Sequence, residues 1–63
     1  MPIIDVTLIE GRTPEKKAAL IKEITDGTER ALGVPRDSIR VMIRDIAPEN
    51  FGVAGVTKAE KSG

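Results

Sequence analysis

The sequence of 63 residues contains no cysteine, histidine, tyrosine or tryptophan, and Phe51 is its one aromatic residue. The absence of cysteine excludes disulfides, and the absence of both cysteine and histidine excludes the common zinc frameworks. The side chains left to move protons near neutral pH are carboxylates and lysines. The amino terminus of the chain is one further candidate. We predict a protein that holds no metal and no cofactor.

An excess of charge of one sign is also absent, because ten basic and ten acidic residues balance to a net charge of zero. A protein that binds nucleic acid normally has a basic excess, with aromatic residues if it binds single strands. No apolar run approaches the roughly 20 residues needed to span a bilayer. Residues 1–10 lack the basic start and apolar middle of a signal peptide. The sequence therefore predicts a cytoplasmic protein that binds neither nucleic acid nor membranes.

A chain of this length folds alone only with difficulty, because it hides only about 60% of its unfolded surface. Disulfides, a structural metal or oligomerisation usually supply the missing stability. The hydrophobic content of 40% is too high for a disordered chain. We predict a single domain spanning residues 1–63 that completes its core by associating with copies of itself.

The first half of the chain predicts a strand followed by a long helix. Residues 3–9 are rich in β-branched side chains that alternate with polar ones, as in a strand with one polar face. Thr13 is a candidate N-cap, and Pro14 suits the first helical position. Apolar residues then recur at helical spacing as far as Leu32, and Gly33 is a natural residue to end the helix. We predict a helix over residues 14–32.

The second half predicts another strand, a hairpin and a tail. Residues 39–46 alternate again, with Ile39, Val41 and Ile43 on one face. A glycine-punctuated apolar segment predicts a tight hairpin over residues 51–56, and residues 57–63 form a polar tail. Two strands joined by a helix should be parallel. The predicted fold class is α+β, a βαβ protomer with a short C-terminal hairpin.

One helix cannot cover both faces of a two-stranded sheet. Pairing the strands of two protomers would give a four-stranded sheet per dimer, with two helices on one face. The other face would still need cover, so we expect further association.

Four fragments of the sequence follow one another at defined intervals: Met1-Pro2-Ile3-Ile4, Leu8-Ile9-Glu10-Gly11-Arg12-Thr13-Pro14, Ser38-Ile39-Arg40-Val41 and Asn50-Phe51-Gly52-Val53. In this order and spacing the chain, from Met1 to about Gly55, resembles the 4-oxalocrotonate tautomerase family, to which the 2-hydroxymuconate tautomerase of aromatic hydrocarbon catabolism belongs.

The resemblance implies an isomerase that needs no cofactor. Removal of Met1 would expose the nitrogen of Pro2, which would carry a proton between carbons of a small unsaturated 2-hydroxy or 2-oxo acid such as 2-hydroxymuconate. Arg12 would bind the distal carboxylate, and Arg40 from a neighbouring subunit would hold the carboxylate near the enol. Phe51 would form an apolar wall, and the backbone near Ile9 would lie close to the substrate. The family's usual assembly is a homohexamer, a trimer of dimers.

Elementary electrostatics allows Pro2 this role. An α-amino group titrates near 8 and is therefore mostly protonated at neutral pH. One arginine about 6 Å away, at an effective dielectric near 20, destabilises the protonated amine by roughly 2.7 kcal/mol. That corresponds to a pKa lower by about two units. A base tuned close to the working pH is what general acid–base catalysis favours.

Other interpretations of the same residues stay open. Arg12 could be a solvated turn residue, Arg40 a rim residue on an exposed sheet face, and Phe51 a core or interface anchor. The scaffold could also serve a dehalogenase or decarboxylase of a three-carbon acid, although no carboxylate follows Phe51 closely. A third reading is an oligomeric module without catalysis.

Two departures from the family pattern concern the end of the chain. Ala54 stands where the family commonly has glycine, so it must accept a conformation that glycine takes more freely. The tail offers Lys58 and Lys61 where some members have an arginine. A contribution of the tail to substrate binding is therefore not implied.

Overall fold

The computed structural model describes residues 1–61 and shows a βαβ unit followed by a small hairpin. Strand β1 (Ile3–Ile9), helix α1 (Pro14–Leu32) and strand β2 (Arg40–Ile46) follow one another, and the two strands pair in parallel. The register pairs the first residue of β1 with the first of β2, and Ile9 with Ile46. The predicted fold class and the parallel pairing are confirmed.

Helix α1 has the bounds predicted from the sequence because both of its ends carry local signals. The hydroxyl oxygen of Thr13 accepts a hydrogen bond from the backbone N–H of Lys16 at 3.2 Å, and Pro14 follows at the first position. At the other end Gly33 adopts φ of 66°, and its N–H donates to the carbonyl of Glu29. Such a left-handed residue is the commonest way to end a helix.

Strand β2 begins one residue later than the predicted Ile39, at Arg40. Residues Arg36–Ser38 form a 3₁₀ helix, and the N–H of Ile39 donates back to the carbonyl of Arg36 at 3.2 Å. Ile39 therefore has no N–H left for the sheet. The first bond of the ladder instead runs from the N–H of Arg40 to the carbonyl of Pro2, at 3.0 Å.

The hairpin is shifted relative to the predicted range 51–56. Strands β3 (Gly52–Val53) and β4 (Val56–Thr57) pair antiparallel around the two residues Ala54 and Gly55. Both have positive φ, 53° and 82°, as the favoured two-residue hairpin turn requires. Phe51 lies outside the hairpin because its N–H donates to the carbonyl of Pro48 at the end of the 3₁₀ helix Pro48–Asn50. The expectation that Ala54 takes a conformation suited to glycine is confirmed.

In the described part of the predicted polar tail over residues 57–63, Thr57 ends strand β4 and the exposed, mostly polar residues Lys58–Lys61 form helix α2. Thr57 and Glu60 form a reciprocal capping pair. The N–H of Thr57 donates to the Glu60 carboxylate at 2.7 Å, and the N–H of Glu60 donates to the Thr57 hydroxyl at 3.1 Å. Residues 62 and 63 of the predicted tail lie outside the described residues.

Burial in the protomer is thin. Among residues 1–61 only one side chain, Ile39, is buried, with 8% of its surface exposed. The accessible surface of 4687 Å² exceeds the roughly 4,000 Å² of a compact protein of this mass. The inner sheet face is half-buried against α1, whereas Ile3 and Met42 are 59% and 49% exposed on the outer face. Covering this apolar surface is a physical reason to expect self-association.

Candidate active site

Pro2 lies immediately before β1 at the amino end of the sheet. Its residue is half-buried, and its carbonyl accepts the hydrogen bond from Arg40 that opens the ladder. Met1 precedes it and is 78% exposed, so the bond between the two residues lies at the surface. While Met1 is attached, the Pro2 nitrogen is a tertiary amide without basicity. Once Met1 is removed, it is a secondary amine.

Arg40 stands at the same end of the sheet, paired with Ile3 in the register. Its side chain is exposed, and its guanidinium Nη1 donates to the backbone carbonyl of Asp37 at 2.6 Å. The structure thus brings the backbones of Pro2 and Arg40 together and anchors the Arg40 guanidinium to the 3₁₀ helix that precedes it.

Ile9 and Arg12 lie together at the opposite end of the sheet. Ile9 is the last residue of β1, and Gly11 allows the chain to turn with a φ of 131°. The guanidinium Nη1 of Arg12 then donates to the carbonyl of Ile9 at 3.0 Å. The two residues therefore form one local unit.

The two ends of the sheet are too far apart to share a small substrate. Six residue steps separate Ile3 from Ile9, which at about 3.3 Å per residue places the ends roughly 20 Å apart. Within residues 1–61 a single protomer encloses no pocket. Pro2 and Arg12 of the same protomer are therefore not brought together.

Phe51 follows β2 on the side of its carboxyl end and is held by backbone bonds on both sides. Its N–H donates to the carbonyl of Pro48 at 3.3 Å, and its carbonyl accepts from the N–H of Lys58 at 2.8 Å. Its side chain is exposed in the protomer. The bond to Lys58 joins Phe51, the residue before β3, to the first residue of α2, so the hairpin lies between the two bonded residues.

Four of the five arginines of this chain differ in what holds them. Arg12 and Arg40 each donate to a backbone carbonyl three residues upstream, whereas Arg36 pairs with Asp26 and Glu29. Arg44 lies 3.8 Å from Asp5. A carbonyl orients a guanidinium without neutralising it, so Arg12 and Arg40 keep a full positive charge for an anion. This difference suits them to bind carboxylates.

Neither a metal-binding group of side chains nor a membrane-spanning helix occurs among residues 1–61. No group of three histidine, cysteine or acidic side chains among residues 1–61 is arranged to hold a metal ion. In the same range no helix has both the length and the apolar character to cross a membrane.

Three features that support these groups were not predicted from the sequence: the Asp37 carbonyl, Arg36 and the Thr57–Glu60 pair. The Asp37 carbonyl carries no sequence signal, because every residue has a carbonyl. Arg36 could have been suspected only from knowledge that the chain folds back onto α1. The Thr57–Glu60 pair, by contrast, has the spacing of a capping box, and that signal was available in the sequence.

Comparisons with known proteins find tautomerases similar to this chain in sequence and in overall fold. The sequence pattern of a family described as tautomerase enzyme matches residues 2–61. A probable tautomerase of Ralstonia nicotianae is 54% identical over 59 residues, which are 94% of this chain and 84% of that protein. TomN, a 4-oxalocrotonate tautomerase homologue of the tomaymycin biosynthetic pathway, has a TM-score of 0.94 at 39% identity and covers 97% of this chain and 94% of its own. A heterohexamer 4-oxalocrotonate tautomerase from Chloroflexus aurantiacus has a TM-score of 0.92 at 31% identity, with 97% and 98% covered.

Proposed function

The chain belongs to the tautomerase family, and from this premise we propose that it moves a proton between carbons of a small unsaturated 2-hydroxy or 2-oxo acid. In this proposal the nitrogen of Pro2, freed by removal of Met1, is the general base. The finer assignments below, including the substrate and the residues that bind it, belong to the same proposal.

The observation that carries the proposal is the setting of Pro2 in a chain without histidine, cysteine or tyrosine. Pro2 sits beside the start of β2 and follows an exposed Met1. The proline ring fixes φ, so the freed nitrogen has less freedom than an ordinary amino terminus. Nearby guanidinium charge would lower its pKa towards the working pH, because it disfavours the protonated amine.

The two carbonyl-anchored arginines favour a diacid substrate such as 2-hydroxymuconate. A guanidinium can pair with a carboxylate through two parallel hydrogen bonds, and each of these arginines uses one Nη1 bond for its carbonyl. Arg12 would bind the distal carboxylate and draw electron density towards it. Arg40 would hold the carboxylate beside the enol, while Phe51 and the backbone of Ile9 would wall the site.

The separation of the two ends requires that a complete site draw on more than one protomer. We propose a homohexamer, a trimer of dimers, in which strands of two protomers form a four-stranded sheet. The exposed apolar residues of the outer sheet face and of the hairpin support further association. The Chloroflexus aurantiacus relative is itself a heterohexamer.

A turnover assay on Met-free protein tests the proposal. We expect a 2-hydroxydienoate diacid to be ketonised faster than the matching monoacid, with no added metal or cofactor. Intact-mass measurement on the same sample establishes that Met1 is gone. Absence of turnover in Met-free protein would contradict the proposal and favour the non-catalytic oligomeric module.

The alternative reaction on this scaffold is dehalogenation or decarboxylation of a three-carbon acid. A 3-haloacrylate in the same assay separates it from tautomerisation. Val53 and Ala54 follow Phe51 closely where a water-activating carboxylate would be needed, so we expect halide release to be far slower than ketonisation. A cytoplasmic location and a place in aromatic catabolism stay predictions from the sequence.

A further inference from the structure

A cluster of charged side chains joins the last turns of α1 to the 3₁₀ helix Arg36–Ser38. The Nη1 of Arg36 lies 2.7 Å from a carboxylate oxygen of Asp26 and 3.0 Å from one of Glu29. The Nζ of Lys22 lies 3.0 Å from the other Asp26 oxygen, one helical turn away. Arg36 is thus the member of the cluster that belongs to the 3₁₀ helix, whereas the others belong to α1.

Asp26 and Arg36 of this cluster both stay charged at neutral pH. The hydrogen bond from Lys22, and after it that from Arg36, lowers the pKa of the Asp26 carboxyl below its ordinary value. The hydrogen bonds to Asp26 and Glu29 raise the pKa of Arg36. Both partners therefore keep the charges that hold the 3₁₀ helix to α1.

The same 3₁₀ helix holds the guanidinium of Arg40. The Ser38 hydroxyl and N–H both donate to the carbonyl of Pro35, which closes the turn. The carbonyl of Asp37, in the middle of the turn, then accepts from Arg40 Nη1 at 2.6 Å. The orientation of that carbonyl is the orientation of the turn, because a backbone carbonyl cannot move without its peptide plane.

We propose that Arg36 is a positioning residue for Arg40: its ion pairs with Asp26 and Glu29 fix the 3₁₀ helix whose Asp37 carbonyl aims the Arg40 guanidinium at the substrate carboxylate. This inference rests on the proposed function for the role of Arg40, and it adds a residue outside the site. Every protomer holds its own Arg40 in this way, whichever subunit's Pro2 that arginine meets.

Arg36 is replaced by methionine to test the proposal, because methionine keeps the unbranched apolar stem of the side chain and removes the charge. Lys22→Met is the matched control, since it removes a charge from the same cluster and leaves both Arg36 pairs in place. Arg36→Lys restores the charge on the 3₁₀ helix. If Arg36→Met does not fold, Glu29→Gln removes one of its two partners with a smaller change.

We expect Arg36→Met to raise KM by about fivefold with kcat nearly unchanged, the upper range for partly exposed ion pairs. The substrate carboxylate is charged before and during proton transfer, so a misplaced Arg40 weakens both states alike. Lys22→Met should leave KM unchanged, and Arg36→Lys should recover most of the wild-type value. Equal KM values for Arg36→Met and wild type, or equal increases in Arg36→Met and Lys22→Met, would overturn the proposal.

An NMR measurement separates failure of this inference from failure of the proposed function. In the assembled wild-type protein the Arg40 guanidinium N–H signals should show slow rotation, which Arg36→Met should speed up and Lys22→Met should not. Slow rotation retained in Arg36→Met would refute the positioning role even in an active enzyme. If Arg36→Met speeds up the rotation as expected but the wild-type protein shows no turnover, the proposed function is refuted and the positioning role stands.

Discussion

The amino and carboxyl ends of the parallel sheet carry different members of the proposed site. The amino end holds Pro2 and Arg40 beside Ile39, the one buried side chain among residues 1–61. The carboxyl end holds Ile9 and Arg12 in an exposed turn and leads on to Phe51. Each end has one arginine anchored by a backbone carbonyl, but only the amino end has the proposed base, Pro2.

This difference indicates how such a small chain could build an active site. The ends lie roughly 20 Å apart, so one protomer presents the proposed site residues in two separate groups. A symmetric oligomer can bring Pro2 of one protomer to Arg12 of another and to Arg40 of a neighbouring subunit, so that each protomer contributes to several sites. On this account, the association that supplies burial also completes the site.

The largest effect is expected from Pro2→Ala at the amino end, in protein shown by mass to lack Met1. The substituted amine is primary and loses the ring constraint on φ. We expect kcat to fall by about 100-fold or more, the range of general-base contributions. Sedimentation should show the same oligomer as for the wild type. Turnover close to that of the wild type would remove Pro2 from the mechanism.

Arg40→Ala tests whether the carbonyl-anchored arginines differ from the others. A charge-assisted hydrogen bond to a carboxylate contributes about 1.5–3 kcal/mol, so kcat/KM should fall by roughly 10- to 100-fold with little change in thermal stability. Arg44→Ala is the matched control, because Arg44 lies four residues after Arg40 on the same exposed face of β2. Similar kinetics in the two variants would place Arg40 on the rim of the sheet and outside the site.

Smaller effects, on the free energy of unfolding, are expected from one variant near each end of the sheet. Ile39→Val removes one methylene from the buried side chain at the amino end and should lower the free energy of unfolding by about 1 kcal/mol.

Ala54→Gly, in the hairpin beyond the carboxyl end, should raise the free energy of unfolding by up to about 1 kcal/mol, because alanine is strained at a φ of 53°. Denaturant titration at fixed protein concentration measures both. A stabilising Ile39→Val would contradict the role of Ile39 as a buried core residue, and a destabilising Ala54→Gly would contradict backbone strain at Ala54.

The fold was predictable from the sequence wherever local chemistry decides it. Thr13, Pro14 and Gly33 set the ends of α1, and alternation set β1, so both elements have the predicted bounds. The start of β2 was not predictable in the same way. Ile39 continues the alternating pattern, yet its N–H is taken by the 3₁₀ helix before it.

Less of the candidate site could be predicted, because its residues are held through the backbone and, in the proposed assembly, meet across protomers. The sequence pointed to Arg12 and Arg40 only by resemblance, and it contained no sign that Ile9 and Asp37 would anchor them through carbonyls. The opposite placement of Pro2 and Arg12 follows from the length of β1. Which surfaces of separate protomers meet depends on tertiary shape that periodicity does not encode.

Mixing two inactive variants tests whether one site takes Pro2 and Arg12 from different protomers. Pro2→Ala and Arg12→Ala subunits would be unfolded together, refolded at equal concentrations, and assayed beside each variant refolded alone. If a site takes Pro2 and Arg12 from different protomers, random assembly leaves roughly a quarter of the sites with both residues intact, and activity should recover to about that fraction of the wild type. If mixed oligomers form but activity stays at the level of the separate variants, the two residues act within one protomer and the account is contradicted.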